Sequence, residues 1–258
     1  MASIATLPRP LRFLRPLVSG PLDSLEDMGE QLSFYGRTLG WTWRTLLSYK
    51  KEVFRLIAEV SLGSGALAVI GGSVGVIMFM TFFTGTEVGL EGYQGLNQIG
   101  ISAFAGFTAQ LGAMRISEEI DALEVMGIPS VPYLVTTRII AGLVAVIPLY
   151  IVGLFASYFA TRFIVTGYFH QSGGTYDHYF HQFLVPTDVF YSFLKVIIFS
   201  VVIMLIHCYY GYFARGGPAG VGVAVGRAVR TSIVAINVID LFLSLALWGA
   251  NTTVRIAG

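Results

Sequence analysis

Arg115-Ile-Ser-Glu-Glu-Ile-Asp-Ala-Leu-Glu-Val-Met-Gly-Ile-Pro129 is the stretch on which the reading of this chain turns. Four carboxylates, Glu118, Glu119, Asp121 and Glu124, fall within seven residues of a sequence that is otherwise mostly apolar. Ile116, Ile120, Leu123 and Gly127 recur at the spacing of one helix face, and Glu118, Asp121 and Glu124 occupy another. Residues 116–127 are therefore predicted to form a short amphipathic helix. Ser117 is expected to be its N-cap, with the acids just after it at the positive end of the helix dipole. Gly127 and Pro129 supply the stop. A helix so charged is incompatible with a lipid interior, so it interrupts the apolar runs and faces water or a partner protein.

The rest of the chain makes that interruption stand out. Of 258 residues, 55% are hydrophobic and only 12% charged, and the mean hydropathy is +0.72. Soluble domains run near a quarter charged, so the composition predicts an all-α integral membrane protein. The net charge of +1 gives no reason to expect nucleic-acid binding. A single cysteine, Cys208, excludes an internal disulfide framework and reads as a small packing residue.

Residues 1–21 carry Arg9, Arg12 and Arg15 among prolines, without the apolar stretch of a cleavable signal, and read as a basic tail. Over residues 22–51, Leu25, Met28, Leu32, Tyr35, Leu39, Trp43 and Leu46 recur every three or four positions with charges between them. This pattern predicts an amphipathic helix in the headgroup plane. Residues 52–258 form the membrane domain, with about five spans expected at 60–86, 92–114, 139–161, 195–214 and 231–254. Gly71 and Gly75 in the first span make a GxxxG spacing suited to close helix packing. The second is polar for a span, with Gln94, Asn97, Gln98 and Gln110. With the N-terminus in the cytoplasm, thirteen arginines and lysines fall on the inner side and only Arg162, Lys195 and Arg255 on the outer. This positive-inside bias places the acidic helix in the cytoplasm.

Asp240 lies near the middle of the last expected span, and His207 is the one histidine within a span. An intramembrane carboxylate is a functional candidate, and the two together could form a proton relay, although hydrogen bonding between helices explains both more simply. The outer loop from Gly167 to Pro186 holds His170, Asp177, His178 and His181, but the aromatic residues around them fit a contact surface better than a metal site. Tyr176, His178, Tyr179 and Phe180 are the residues expected to meet an outer partner. No metal or cofactor is expected. Gly216-Gly-Pro-Ala-Gly-Val-Gly222 lacks the ending of a phosphate loop and follows no strand, so it reads as a tight turn into the last span.

Several segments carry a family resemblance: Gln110–Ile128, Tyr133-Leu-Val-Thr-Thr-Arg-Ile-Ile-Ala-Gly142, Gly174–Phe180, His207-Cys-Tyr-Tyr-Gly-Tyr212 and Gly216–Arg230. Together they resemble the MlaE/YrbE permease family, and look closest to the YrbE proteins of actinobacterial Mce systems. The resemblance implies a non-enzymatic permease subunit of an ABC-type lipid transporter in the cell membrane, driven by a separate cytoplasmic ATPase dimer. The acidic segment would be the coupling helix, with Glu118, Glu119, Asp121, Leu123, Glu124, Met126 and Gly127 docking the ATPase and transmitting its movement. A second YrbE-like chain, usually a heterodimer partner, and outer MCE-domain proteins would complete the assembly. Fatty acids, mycolic acids and sterols are the lipid classes implied, with import as the direction. The chain departs from the family between Phe107 and Thr108, where relatives carry roughly 30 more residues, about one span and a loop. That departure keeps two alternatives open: a scaffold subunit that moves no lipid, and a proton-coupled transporter using Asp240.

Overall fold

A computed structural model describes residues 15–62, 101, 104–184 and 186–249, and all regular structure within them is helical. The expected first span, with Gly71 and Gly75, and the start of the second lie almost wholly outside the described residues.

The N-terminal part is one helical path with two soft points. α1 (Arg15–Gly40), α2 (Thr42–Ser48) and α3 (Lys50–Leu62) follow one another without a loop. Backbone bonds bridge both breaks, Thr45 N–H to the Trp41 carbonyl at 2.9 Å and Val53 N–H to that of Tyr49 at 3.0 Å. The apolar stripe read from the sequence points outward: Met28, Leu32, Leu39 and Trp43 are exposed, whereas Phe34, Thr38 and Thr45 are buried. Phe34 packs edge-on against Tyr209 and Phe213, fixing α1 to one end of the bundle. In α3, Val53 and Leu56 are buried. Arg55 pairs with Glu52 at 2.5 Å, one turn before it.

Among the described residues three helices are long and apolar enough to cross a membrane: Val131–Phe155, Pro186–Tyr212 and Gly217–Trp248. The first begins in a wide π-helical turn, Val131–Thr136, containing Pro132, which has no N–H for the regular ladder. It continues as α6 (Thr137–Phe163), with Pro148 inside the helix. The second, α8 (Pro186–Tyr212), begins nine residues before the expected start, because Lys195 lies inside the helix and not at its mouth. The third, α9 (Gly217–Trp248), absorbs most of the glycine-rich run expected as a turn. Only Gly216 and Gly217 turn the chain, at φ 90° and 68°; Pro218 then sits in the first helical turn, where its fixed φ is tolerated. At about 1.5 Å per residue α9 is about 48 Å long, well beyond a hydrocarbon core of about 30 Å. It is therefore longer than one crossing needs, and its first turns carry Arg227 and Arg230.

α4 (residues 104–116) runs without a break through Phe107 and Thr108, both buried. Phe104, Phe107 and Leu111 share its inner face. Gly211 on α8 lets this helix come close: a Cβ there would lie 2.8 Å from the Thr108 carbonyl oxygen. α5 (Glu119–Val125) and α7 (Gly173–Phe183) cover opposite ends of the bundle.

Candidate functional site

α5 has seven residues, too few to hold a helix in water unaided. It is shorter at both ends than the expected 116–127. Ser117 closes α4 instead of opening α5, its one hydroxyl proton shared between the Ala113 carbonyl at 3.0 Å and Glu119 Oε1 at 2.9 Å. Glu118 takes the cap position at φ 59°, a left-handed conformation that turns the chain between the two helices. Ile116 consequently belongs to α4. At the other end the sequence reading matches the structure closely. Gly127 adopts φ 76°, its N–H donates to the Glu124 carbonyl, and the Ile128 N–H donates to that of Leu123. This is a Schellman stop.

Ile120 is fully buried and anchors α5 to the bundle, with Leu123 partly buried beside it. The four acids divide into two pairs. Arg115 Nη1 donates to Asp121 Oδ1 at 2.7 Å, tying α5 back to α4. Glu124 Oε1 lies 2.6 Å from Ser130 Oγ and 3.2 Å from Tyr212 Oη, and those two hydroxyls are 2.6 Å apart. Two protons cannot fill three contacts, so the two short ones define the chain: Tyr212 donates to Ser130, and Ser130 to Glu124. Glu118 and Glu119 remain exposed, and Val125 and Met126 protrude at 88% and 65% exposure. The result is an apolar tip with two carboxylates behind it.

A second polar site lies between α8 and α9. Lys195, 1% exposed, holds its ammonium 2.7 Å from Asp240 Oδ1 as an ion pair and aims a hydrogen bond at Ser244 Oγ, 2.8 Å away. Its Nζ also stands 4.9 Å from the Trp248 ring centre, and Trp248 Nε1 donates to Asp188 Oδ1 at 2.8 Å. Lys195 is nine residues into α8 and Asp240 eight residues from the end of α9, so both lie about 12–14 Å along their helices from the same end. Lys195 read from sequence as an outer-side charge; in the structure it lies within α8, nine residues from its start, with its side chain buried. The available signal was the pairing of two solitary opposite charges, each in an otherwise uncharged run.

His207 does not join Asp240. It is fully buried against α4, where Thr108 Oγ1 lies 2.8 Å from its Nδ1 and donates to its backbone carbonyl at 3.0 Å. Having spent its proton on the carbonyl, the hydroxyl accepts at Nδ1, so the imidazole proton sits there and Nε2 is bare, without a partner. Two features could not have been found by spacing: Ser130 and Tyr212 are polar residues whose roles depend on contacts 82 and 88 positions apart in the chain.

At the opposite end, Tyr176 is buried and stacks on Phe180, which meets Tyr158 edge-on. Burial and the Asp177 carboxylate beside it raise the Tyr176 pKa above its usual value. His178 and His181 are exposed, while the side chain of Tyr179 lies outside the described residues. Arg162 pairs with Asp177 at 2.9 Å in solvent. Among the described residues no three His, Cys, Asp or Glu side chains converge as a metal site would require.

Residues 103–246 match the model of the permease MlaE family, a stretch that includes α5 and the membrane portions of all three long helices. A probable ABC transporter permease protein of Rickettsia bellii is 25% identical over 199 aligned positions, covering 67% of this chain and 77% of its own length. The chloroplastic protein trigalactosyldiacylglycerol 1 of Arabidopsis thaliana is 31% identical over 140 positions, 54% of this chain and 40% of its own. A probable ABC transporter permease protein of a Synechocystis strain is 33% identical over 141 positions, 54% of this chain and 53% of its own. The 199 positions of the Rickettsia alignment exceed what 67% of 258 residues supplies, so that relative carries residues with no counterpart here. The 140 positions of the Arabidopsis alignment show no such excess.

Proposed function

Because the chain belongs to the MlaE permease family, we propose that it is the membrane subunit of an ABC-type lipid transporter whose cytoplasmic ATPase docks on α5. The observation that carries this reading is the division of α5 into a fixed side and a free side. Ile120, Asp121 and Glu124 hold the helix to its own bundle, while Val125 and Met126 stand out where a partner can cover them. Two large apolar side chains beside two exposed carboxylates form a small amphipathic knob of the kind that inserts in a groove. The permease does no covalent chemistry; ATP binding and hydrolysis belong to the partner.

The N-terminus is assigned to the cytoplasm on the positive-inside bias, which places α5 on that side and α7 on the other. Lipid is favoured as substrate because one relative carries a galactolipid in its name, trigalactosyldiacylglycerol. A second permease chain of the same family and outer MCE-domain proteins are the further partners proposed, with import of a fatty acid, mycolic acid or sterol. Asp240 is held by Lys195, which supports a compensated structural pair over a proton carrier. The residues present in the Rickettsia relative and lacking here favour a second reading, a scaffold subunit that assembles the complex without moving lipid.

Purification from the native membrane in mild detergent tests the proposal. The wild-type chain should bring an ABC ATPase with it, and Val125→Asp/Met126→Asp should lose it by at least about tenfold, the effect of putting two charges in a small apolar contact. A wild-type preparation free of ATPase would sink the reading. Lipid-stimulated ATP hydrolysis by the complex separates a transporter from a scaffold.

A further inference from the structure

Resting on the docking role of α5, we infer that Glu124 is a positioning residue, and that the Tyr212–Ser130–Glu124 chain is the link by which movement of α5 reaches the spanning helices. From sequence, Glu124 was grouped with the acids that meet the partner. Its geometry is different. Its Oε1 accepts from Ser130, at the entry to the Val131–Phe155 span, and Ser130 in turn accepts from Tyr212, the last residue of α8.

Three observations make this contact a link rather than a local brace. First, it joins elements far apart in sequence, whereas the other polar tie of α5, Arg115–Asp121, reaches only the preceding helix through partly exposed side chains. Exposed ion pairs of that kind contribute little and are screened by salt. Second, hydroxyl-to-carboxylate bonds are charge-assisted and short, so they resist stretching. Third, Tyr212 cannot swing freely to follow a moving partner. Its ring is 8% exposed, 5.6 Å from Phe34 of α1 and 5.0 Å from Phe213. A displacement of α5 must therefore shift the end of α8 with it or break the chain. Ile120 supplies the rigid seat about which α5 can pivot, with Glu124 one turn further along the helix.

The test uses the complete complex, co-purified with its ATPase and placed in vesicles of the lipid extracted from its own membrane. ATPase content per permease and the ratio of ATP hydrolysis in vesicles to that in detergent are both measured. Glu124→Ala and Tyr212→Phe are expected to keep full ATPase content while losing about tenfold of the lipid stimulation, the size expected for one charge-assisted hydrogen bond. Glu124→Gln, which preserves an acceptor oxygen, should recover most of the stimulation. Glu124→Ala/Tyr212→Phe together should be no worse than the more severe single variant, because both cut the same link. Loss of the ATPase from Glu124→Ala would make Glu124 a docking residue and overturn the inference. Unchanged stimulation in Tyr212→Phe, which leaves the ring packing intact, would overturn it equally, as would losses that add in the double variant. Absence of ATPase from the wild-type complex defeats the transporter reading and this inference with it. Full ATPase content with normal stimulation in the variants defeats the inference alone.

Discussion

Glu124 and Asp240 are both carboxylates held by their own chain, yet they are held in different ways. Glu124 sits at the end of the bundle that carries α5, and the neutral Ser130 hydroxyl, itself accepting from Tyr212, suffices for it. Asp240 sits inside the span, and a whole ammonium group, itself 1% exposed, is brought against it. The difference follows the supply of water. A carboxylate near the surface keeps part of its hydration and needs only orientation from the protein. One in an apolar layer has lost most of that hydration, and only an opposite charge nearby offsets the loss. The lysine is buried in turn by α8, by the Trp248 ring and by Ser244, which takes the donor that the carboxylate leaves over.

The largest effect that could break this comparison comes from separating the charges. Lys195→Met should leave Asp240 uncompensated and destabilise the chain by about 3–5 kcal/mol, seen as a fall in melting temperature of the detergent-solubilised protein. Lys195→Met/Asp240→Leu should recover most of that loss, because two apolar side chains of similar volume remove both charges together. If the double variant melts no higher than the single one, the pair has a role beyond mutual compensation. Asp240→Asn separates the compensated pair from a proton carrier: it should lower the melting temperature by leaving Lys195 uncompensated, whereas lost transport at an unchanged melting temperature would mark a carrier.

How much of this was legible beforehand depended on the range of the interaction. The all-helical membrane class followed from composition, and the Gly127 stop followed from a local rule about left-handed residues. The apolar runs at 139–161, 195–214 and 231–254 each overlap one of the three long apolar helices, which begin earlier in the chain than the runs do. Lys195 lies inside α8 because its charge is answered by a residue 45 positions away, which no window of hydropathy registers. The glycines after Gly217 are helical because α9 begins ahead of the apolar run, and because Ala224 and Ala228 bury a face of that extension. Ser117 read as a cap from its type and neighbours. It lost that role when α4 ended on it and Glu118 took the turn at φ 59°. The split of the acids into a fixed and a free set was illegible for a similar reason: Tyr212 is 88 positions from Glu124, and Ser130, though only six away, is ordinary in type.

The smallest effect sharpens the comparison from the opposite side, with a charge pair that keeps its water. Arg162 Nη2 and Asp177 Oδ2 are 2.9 Å apart, as close as many buried pairs, yet the side chains are 56% and 45% exposed. Distance alone would rank this pair near Lys195–Asp240. Hydration ranks it far below, because both ions remain solvated when parted and because holding two long side chains in one geometry costs entropy. Arg162→Ala should therefore change stability by no more than about 0–1 kcal/mol, and that small loss should shrink further as salt is raised through physiological strength, where the screening length is about 8 Å. Thermal melts of the variant at low and high salt read both quantities. A loss that is large and indifferent to salt would mean that α7 is shielded from water in the assembled protein. The Arg162–Asp177 pair would then belong with the buried one, and the end of the bundle that carries α7 would be a covered surface.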